Sequence, residues 1–241
     1  MCEMPSRPIL FSAPLVVAIL NGAKSVTRRV VLPTTAPKLP PEHMEPWIPV
    51  LEQETDEEGR LVWRGTHPEY PAKGKWFTCP YGAPGDELWV QEGYRVDEFE
   101  GVGRRIRLGG IYLADGAPFS VLLDAREAGL FSARKRHLGS SPGRFMYRSL
   151  ARIRLEVTSV GVERVRELTE AEAQAEGLPG ISEQVAADGE MLEGKDYFSA
   201  RVQFVGLWRR INGPRGYGWD EDPYVWRVAF QRARPAGAPT D

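Results

Sequence analysis

The segment NGAKSVTRRVV, residues 21–31, places several hydrogen-bonding side chains at a single turn. Lys24 and Thr27 are separated by two residues, and Arg29 follows after one more. A threonine hydroxyl can attack an acyl carbon when a lysine with a lowered pKa accepts its proton, and an arginine beside them can bind an oxyanion or a phosphate. The segment therefore has the residues for nucleophilic catalysis, although a solvated strand end could have the same sequence.

A second polar feature is Glu176, which follows a short predicted helix and falls in its last turn. The helix macrodipole makes a carboxylate unfavourable there by about 0.3–1 kcal/mol. A partly buried carboxylate at that place would have a raised pKa and could transfer protons. An exposed glutamate would carry the same small cost without any function.

A third feature is a run of basic residues between positions 126 and 154, with Phe131, Phe145 and Tyr147 among them and Glu127 as its one acidic residue. Clustered arginines with interleaved aromatic residues suit a phosphate backbone and unstacked bases. A solvated loop is the alternative interpretation. The candidate contacts with a nucleic-acid backbone are Arg134, Lys135, Arg136, Arg144, Arg148 and Arg152.

The composition is that of an ordinary globular protein, with 241 residues and a formal net charge of −2. This charge excludes a protein coated in positive charge but allows a local basic groove. Cys2 and Cys79 are the only cysteines and the three histidines are scattered, so we expect no disulfide framework, no metal site and no cofactor. The apolar run PLVVAIL is too short to span a bilayer, and we expect a cytoplasmic protein without membrane contact.

Periodicity predicts the elements that position the first group of residues. A short apolar helix ends at Asn21-Gly22, and SVTRRVV follows as a strand. In a regular strand Thr27 and Arg29 share one face and Lys24 points to the opposite one. Lys24 can therefore join them only from an irregular turn after the helix.

Further strands and helices are predicted along the chain. The segment ARIRLEVTSVGVERV is the clearest strand, and in LTEAEAQAEGL a capping box between Thr169 and Glu172 starts a short helix that Gly177 ends. Residues 198–211 fit an amphipathic helix, and DPYVWRVAFQR fits a final strand. These elements predict an α+β fold with a largely antiparallel sheet or a small barrel.

Two long segments interrupt this pattern. Prolines recur throughout residues 32–83, which we predict to be mostly irregular with one hairpin around GRLVWRG. Residues 96–144 contain a predicted hairpin turn at Asp115-Gly116. We expect residues 235–241 to be a frayed tail. The aromatic residues predicted to pack mainly in the core are Trp208, Trp219, Tyr224 and Trp226.

The motif GAKSVTRR resembles the G-x-K-x-x-T-x-R signature of ASCH domains, small β-barrels related to PUA domains. The resemblance covers about residues 8–31, 84–95, 145–178 and 197–232, so that 32–83, 96–144 and 179–196 are insertions in one domain. It implies a PUA-like, mostly antiparallel barrel with flanking helices. The chain is most similar to longer ASCH-type proteins of phages and prophages, many of which carry MPRWASRI where this chain has MYRSLARI.

The resemblance also implies an activity. Bacterial amidohydrolases of this family remove the acetyl group from N4-acetylcytidine with a lysine and a threonine of the signature and a glutamate. The implied catalytic residues are Lys24, Thr27 and Glu176, and the implied substrate-binding residues are Gly22, Arg28 and Arg29.

Two other functions remain open at this stage. The first is a binding module without catalysis, whose pocket recognises a nucleobase while the arginine-rich stretch follows the backbone. The second is a ribonuclease, which needs a metal or an acid/base pair acting on phosphate. In all three cases the expected partner is a nucleoside or RNA, including modified phage nucleic acid.

Overall fold

The computed structural model describes residues 6–31, 50–57, 61–66, 76–134, 137–179 and 199–233. The strands are β1 (Ser6–Leu10), β2 (Val26–Val30), β3 (Val50–Thr55), β4 (Leu61–Thr66), β5 (Glu87–Gln91), β6 (Tyr94–Val102), β7 (Arg105–Tyr112), β8 (Pro118–Leu122), β9 (Gly139–Ser141), β10 (Arg154–Arg164) and β11 (Tyr224–Arg232). The helices are α1 (Ala13–Leu20), α2 (Ala125–Ser132), α3 (Glu170–Ala175) and α4 (Ala200–Asn212), and single 3₁₀ turns lie at Gly143–Phe145, Arg148–Leu150, Val165–Glu167 and Gly213–Arg215.

The larger sheet has five strands in the order β1-β5-β10-β11-β2. The β1–β5 pair is parallel, and the other neighbouring strands are antiparallel. Helix α1 connects the two opposite edges of this sheet, since it follows β1 and precedes β2. Its buried residues Val16 and Ile19 belong to the same apolar cluster as Leu88, Leu155 and Val228 of the sheet. Burial of this helix face therefore fixes where the chain enters β2.

The second sheet has the order β8-β7-β6-β9, and its apolar cluster includes Phe131 of α2. The predicted hairpin at Asp115-Gly116 is confirmed, because β7 and β8 pair on either side of it. Tyr94 and Leu108 are fully buried in this cluster. The described residues of segment 96–144 therefore form a lobe whose core also includes Tyr94 and Leu150.

The predicted hairpin around GRLVWRG is also confirmed, as the antiparallel pair β3–β4. Its Trp63 ring lies 4.8 Å from the ring of Trp226 at an interplanar angle of 84°. An edge-to-face contact of this kind stabilises by about 0.5–1.5 kcal/mol beyond the buried area. The hairpin is therefore packed on the larger sheet.

The helices beside the candidate site begin and end where the sequence indicates. Helix α1 follows Ser12 and ends at Asn21, after which Gly22 has a φ of +77°. Helix α3 begins with the predicted capping box between Thr169 and Glu172. These local signals suffice because each joins residues within one turn of helix.

The fold is α+β, as predicted, and its sheets are mostly antiparallel. Among the described strands no closed barrel is found, and the barrel implied by the resemblance is not confirmed. The reason lies in the edges of the larger sheet, where β1 and β2 are joined through α1 and do not pair with each other. None of the described helices combines the length and the hydrophobicity needed to cross a bilayer. The predicted tail 235–241 and nearly all of 179–196 lie outside the described residues.

Candidate active site at the free edge of strand β2

Strand β2 is an edge strand, which within the described sheet pairs with β11 alone. Thr27 lies opposite Val228 in this pairing, and Arg28 lies opposite Arg227. In an antiparallel pair, successive residues direct their backbone groups alternately toward the neighbour and away from it. The Val26 carbonyl is directed toward the free edge, where it accepts a hydrogen bond from Lys24.

Lys24 lies in the irregular turn between α1 and β2, the one place from which the sequence allows it to join the strand. The backbone N–H groups of Ala23 and Lys24 both donate to the Ala18 carbonyl, at 2.9 and 3.1 Å. The position of Lys24 is therefore determined by the last turn of α1 and not by the pleat of strand β2.

The side chains of Lys24 and Glu176 form a buried ion pair. Lys24 Nζ lies 2.6 Å from Glu176 Oε2, 2.9 Å from the Glu176 carbonyl oxygen and 2.7 Å from the Val26 carbonyl oxygen. The two side chains are 0% and 7% exposed. Three acceptors therefore surround one ammonium group, and the carbonyl of Val26 belongs to the peptide bond that precedes Thr27.

Backbone contacts bring the end of α3 against the turn that carries Lys24. Lys24 and Glu176 form an isolated β-bridge, and the Ser25 N–H donates to the Ala175 carbonyl at 2.9 Å. Gly177 has a φ of +87°, and a Cβ atom there would lie 2.9 Å from the Lys24 Cβ. Only glycine therefore allows both the backbone conformation and the close approach.

Burial lowers the pKa of the Lys24 amino group below its usual value, and the positive charges of Arg29 and Arg28 act in the same direction. The ion pair with Glu176 opposes this change. A lysine in this environment gives up its proton more readily than a lysine in water, which is the property that a general base requires.

Arg28 lies on the other side of Glu176, at the centre of a network of carboxylates. Its Nε donates to Glu163 Oε1 at 2.6 Å, and its Nη1 donates to Glu176 Oε1 at 3.5 Å. Its Nη2 is 3.0 Å from Glu172 Oε2 in an ion pair without hydrogen-bond geometry. Arg227 also pairs with Glu172, at 3.1 Å. Because the Arg28 side chain is fully buried, its guanidinium orients Glu176 and does not reach the surface.

A cavity of about 210 Å³ lies between β2 and helix α4. Thr27 and Glu176 both line it, which brings two of the three predicted catalytic residues to one space. Lys24 lies behind them, paired with Glu176. The other lining residues are Leu15, Arg28, Arg29, Val30, Tyr81, Phe204, Leu207, Trp208, Ile211, Asn212 and Arg215.

Arg29 lines the same cavity, and only some of its N–H groups donate hydrogen bonds to other residues. Its Nη2 donates to the Leu10 carbonyl at 2.5 Å, and its guanidinium carbon lies 5.2 Å from the centre of the Phe11 ring. Its Nε is buried without a hydrogen-bond partner. Gly22 differs from the other predicted substrate-binding residues, because it lies in the exposed turn after α1 and does not line the cavity.

The described part of the basic stretch lies on the lobe formed by the second sheet and α2. Arg134 donates to the Phe145 carbonyl at 2.8 Å and to the Tyr94 hydroxyl at 3.2 Å. Arg144 lies 4.7 Å from the ring of Phe145, which is 51% exposed, and Arg148 is also exposed. Lys135 and Arg136 fall outside the described residues.

Arg152, the last of the predicted backbone contacts, has partners within the protein. Its guanidinium makes two hydrogen bonds with Glu92 at 2.9 Å and two with Asp115, at 2.9 and 3.0 Å. It also lies 4.0 Å from the centre of the Tyr112 ring. Since Glu92 is only 1% exposed, Arg152 neutralises a buried carboxylate, and its contribution to a nucleic-acid surface stays a prediction.

Three polar residues of the cavity were not identified from the sequence: Tyr81, Asn212 and Arg215. Asn212 directly follows the predicted amphipathic helix 198–211, and Tyr81 lies in the segment 32–83 that is predicted to be mostly irregular. Trp208, predicted to pack in the core, is 4% exposed and also lines the cavity. No local pattern indicates these residues, because they reach the cavity through contacts between distant segments.

Comparisons with protein-family models, with curated proteins and with solved structures gave no match. Among the described residues, no group of three or more His, Cys, Asp or Glu side chains is arranged to hold a metal ion. The candidate site is therefore defined by its own contacts, burial and charge.

Proposed function

We propose that this chain hydrolyses an amide on a modified pyrimidine nucleoside of the N4-acylcytidine type, the chemistry of the ASCH-domain amidohydrolases that its signature resembles. The main support is the buried ion pair of Lys24 and Glu176 directly beside the peptide of Thr27. The cavity in front of Thr27 is lined by apolar residues, most of them on α4, and by polar and charged residues such as Arg29 and Asn212.

In the proposed mechanism the Thr27 hydroxyl attacks the acyl carbon and its proton passes to the neutral amine of Lys24. The tetrahedral intermediate then collapses, and the exocyclic amine leaves with a proton delivered through Lys24 or Glu176. Water hydrolyses the resulting threonine ester, which releases the carboxylic acid and restores the hydroxyl. Arg29 would stabilise the oxyanion in both steps.

A variant of this mechanism uses no covalent intermediate. Glu176 would accept a proton from a water molecule, which attacks the acyl carbon directly. Thr27 would then position the water or the carbonyl group. Substitutions at Thr27 separate the two mechanisms, since only the first requires its hydroxyl as the nucleophile.

The test is incubation of the purified protein with N4-acetylcytidine and chromatographic detection of cytidine. We expect Thr27→Val, which keeps the shape of the side chain, to lose activity by several orders of magnitude, and Thr27→Ser to retain part of it. Full activity in Thr27→Val would overturn the nucleophile role, and no cytidine from the unsubstituted protein would overturn the proposal for this substrate. Circular dichroism of each variant shows whether it is folded.

A second candidate function is a nucleic-acid-binding module, and a separate observation favours it. Phe145 is exposed with the Arg144 guanidinium against its ring, and Arg148 is exposed nearby. An exposed aromatic ring flanked by arginines can stack on an unpaired base while the arginines contact phosphates. Binding of an oligoribonucleotide without cytidine release would favour this function over hydrolysis.

A further inference from the structure

The cavity between β2 and α4 has an excess of positive charge. Its ionisable lining residues include Arg28, Arg29 and Arg215 but only one carboxylate, that of Glu176. Glu176 is already neutralised by two ion pairs, with Lys24 and with Arg28. The remaining cations of the lining therefore favour a ligand that carries negative charge.

Two of these arginines have donors to offer a ligand. Arg29 uses Nη2 for the Leu10 carbonyl and keeps a buried Nε without a partner. Arg215 is exposed, and no carboxylate in the described part of the chain pairs with it. Both arginines line the cavity together with Tyr81. Guanidinium groups placed in this way suit a phosphate.

Asn212 provides an independent indication of a ligand. It lines the cavity and is only 7% exposed, yet its carboxamide forms no hydrogen bond with any residue that the structure describes. Its side-chain oxygen and nitrogen are not among the solvent-inaccessible atoms that lack a partner, so they are reachable from the cavity and can bond with a ligand. A carboxamide offers one acceptor and two donors, which match the polar edge of a nucleobase.

The walls beside Asn212 are flat and apolar. Trp208 and Phe204 are stacked with their ring centres 5.7 Å apart and their planes at 22°. Trp208 is held in place because its Nε1 donates to the Tyr217 carbonyl at 2.9 Å. Leu15 is a further apolar residue of the lining. A volume of about 210 Å³ is below the usual range of about 300–1,000 Å³ for drug-sized ligands, so the enclosed part admits one ring system and leaves the rest at the mouth.

We infer that this cavity binds a nucleotide, with Asn212 hydrogen-bonded to the edge of the base and Arg215 bound to its phosphate. The inference rests on the proposed function for the identity of the base, cytosine. It adds that the substrate is phosphorylated, either as a mononucleotide or as a residue of a strand, and that Asn212 and Arg215 determine this specificity.

The test is a calorimetric titration of the full chain with cytidine 5′-monophosphate and with cytidine. These ligands carry no acyl group, so binding is measured whether or not the protein is a hydrolase. We expect the nucleotide to bind at least about tenfold more tightly than the nucleoside, a difference of about 1.4 kcal/mol. Equal affinities, or no binding of either ligand, would overturn the inference.

Substitutions assign the preference to residues. Arg215→Ala should reduce the affinity for the nucleotide to that for the nucleoside and leave the nucleoside affinity unchanged. The matched control is Arg210→Ala, at an exposed arginine of α4 that does not line the cavity, and it should change neither affinity. Asn212→Leu should weaken both ligands by the same factor. A loss of both ligands in Arg215→Ala would mean that this arginine supports the structure and would overturn its assignment.

A third ligand distinguishes the two sources of phosphate. A short oligocytidylate that binds as tightly as the mononucleotide identifies a strand as the source, and one that does not bind identifies a free nucleotide; both results support a phosphate subsite.

The inference and the proposed function fail separately. A protein that prefers the nucleotide but releases no cytidine from acetylated substrates contradicts only the hydrolase proposal, and one that hydrolyses the acetylated nucleoside without any phosphate preference contradicts only the inference.

Discussion

Lys24 and Glu176 are 152 positions apart in the chain, and their side chains meet at 2.6 Å with almost no exposure to solvent. The Lys24 ammonium alone would be buried without a compensating charge at considerable cost, and the carboxylate of Glu176 makes its burial compatible with the fold. The pair also joins the turn before β2 to the end of α3. The same contact therefore supports the fold and places two of the three predicted catalytic residues side by side.

The pair should be coupled in stability. We expect Glu176→Ala to lower the free energy of unfolding by about 3–5 kcal/mol, because the Lys24 ammonium is left buried and unpaired. The double variant Lys24→Met with Glu176→Met should lose less than the sum of the two single variants. Urea unfolding measures these values. The control Glu100→Ala, at an exposed glutamate of β6, should stay within about 0.5 kcal/mol of the parent.

The pH dependence of turnover should identify the proton acceptor. If neutral Lys24 is the base, kcat/KM rises with pH and has an apparent pKa below 10.5, because burial lowers the pKa of Lys24. Arg29→Gln removes a charge that lowers this pKa and should move the rise to higher pH. Glu176→Gln removes the charge that raises it and should move the rise to lower pH. A rise that stays in place in both variants would assign the titration to another group.

Substitutions at Arg152 and Arg148 should differ in their effect on stability, because Arg152 pairs with a buried carboxylate and Arg148 is exposed. Arg152→Ala leaves the Glu92 carboxylate buried without its partner, and we expect a loss of about 3–5 kcal/mol in the free energy of unfolding. Arg152→Lys should restore little, because an ammonium group cannot make the paired contacts. Arg148→Ala, at an exposed position, should change stability by less than about 0.5 kcal/mol. Equal stability of all three variants would contradict the buried role of Arg152.

Binding of an oligoribonucleotide should depend on salt if the lobe contacts the backbone. The logarithm of the binding constant falls linearly with the logarithm of the salt concentration, and loss of one phosphate contact reduces this slope by about 1. We therefore expect Arg144→Ala to reduce both the affinity and the slope. Phe145→Ala should reduce the affinity through lost stacking and leave the slope unchanged. Filter binding at several salt concentrations measures both, and affinity that does not change with salt would contradict this use of the lobe.

The Cys79 thiol should react slowly. Burial raises its pKa from 9.0 to about 11, so the reactive thiolate is scarce at neutral pH. The folded state is favoured by the protonated thiol below pH 9, and this contribution is lost as the pH rises through about 11. In the Cys2→Ser variant, alkylation by iodoacetamide at pH 8 should be slow in buffer and fast in denaturant. Fast alkylation in buffer would show that the thiol is accessible.

The local structure of the site could be predicted from the sequence, and the partners of its charges could not. The end of α1 at Asn21-Gly22 and the capping box of α3 depend on residues within one turn. The pairing of Lys24 with Glu176 depends on the order of the strands. The periodicity of the sequence does not predict that order. The resemblance to ASCH domains implies that Lys24 and Glu176 belong to one catalytic site, and their ion pair is consistent with this.

Arg28 shows where sequence reasoning reaches its limit. As a basic residue beside the signature, it was expected to contact substrate. In the fold its side chain is fully buried, since Glu163 of β10 and Glu172 of α3 lie against it. Nothing within ten residues of Arg28 indicates these partners. Asn212 is the converse case, because its importance depends on the cavity it lines and not on its neighbours in sequence.

The strand order also determines when the site can form during synthesis. Strand β2 pairs with β11, which is synthesised after every other strand that the structure describes. At about 5–20 residues per second, the strand that carries Thr27 therefore waits for many seconds without its sheet neighbour. During that time its backbone is open to other pairing partners. A nascent chain therefore exposes the edge of β2 until β11 has been synthesised, and a chain interrupted before Tyr224 has no β11 to pair with it.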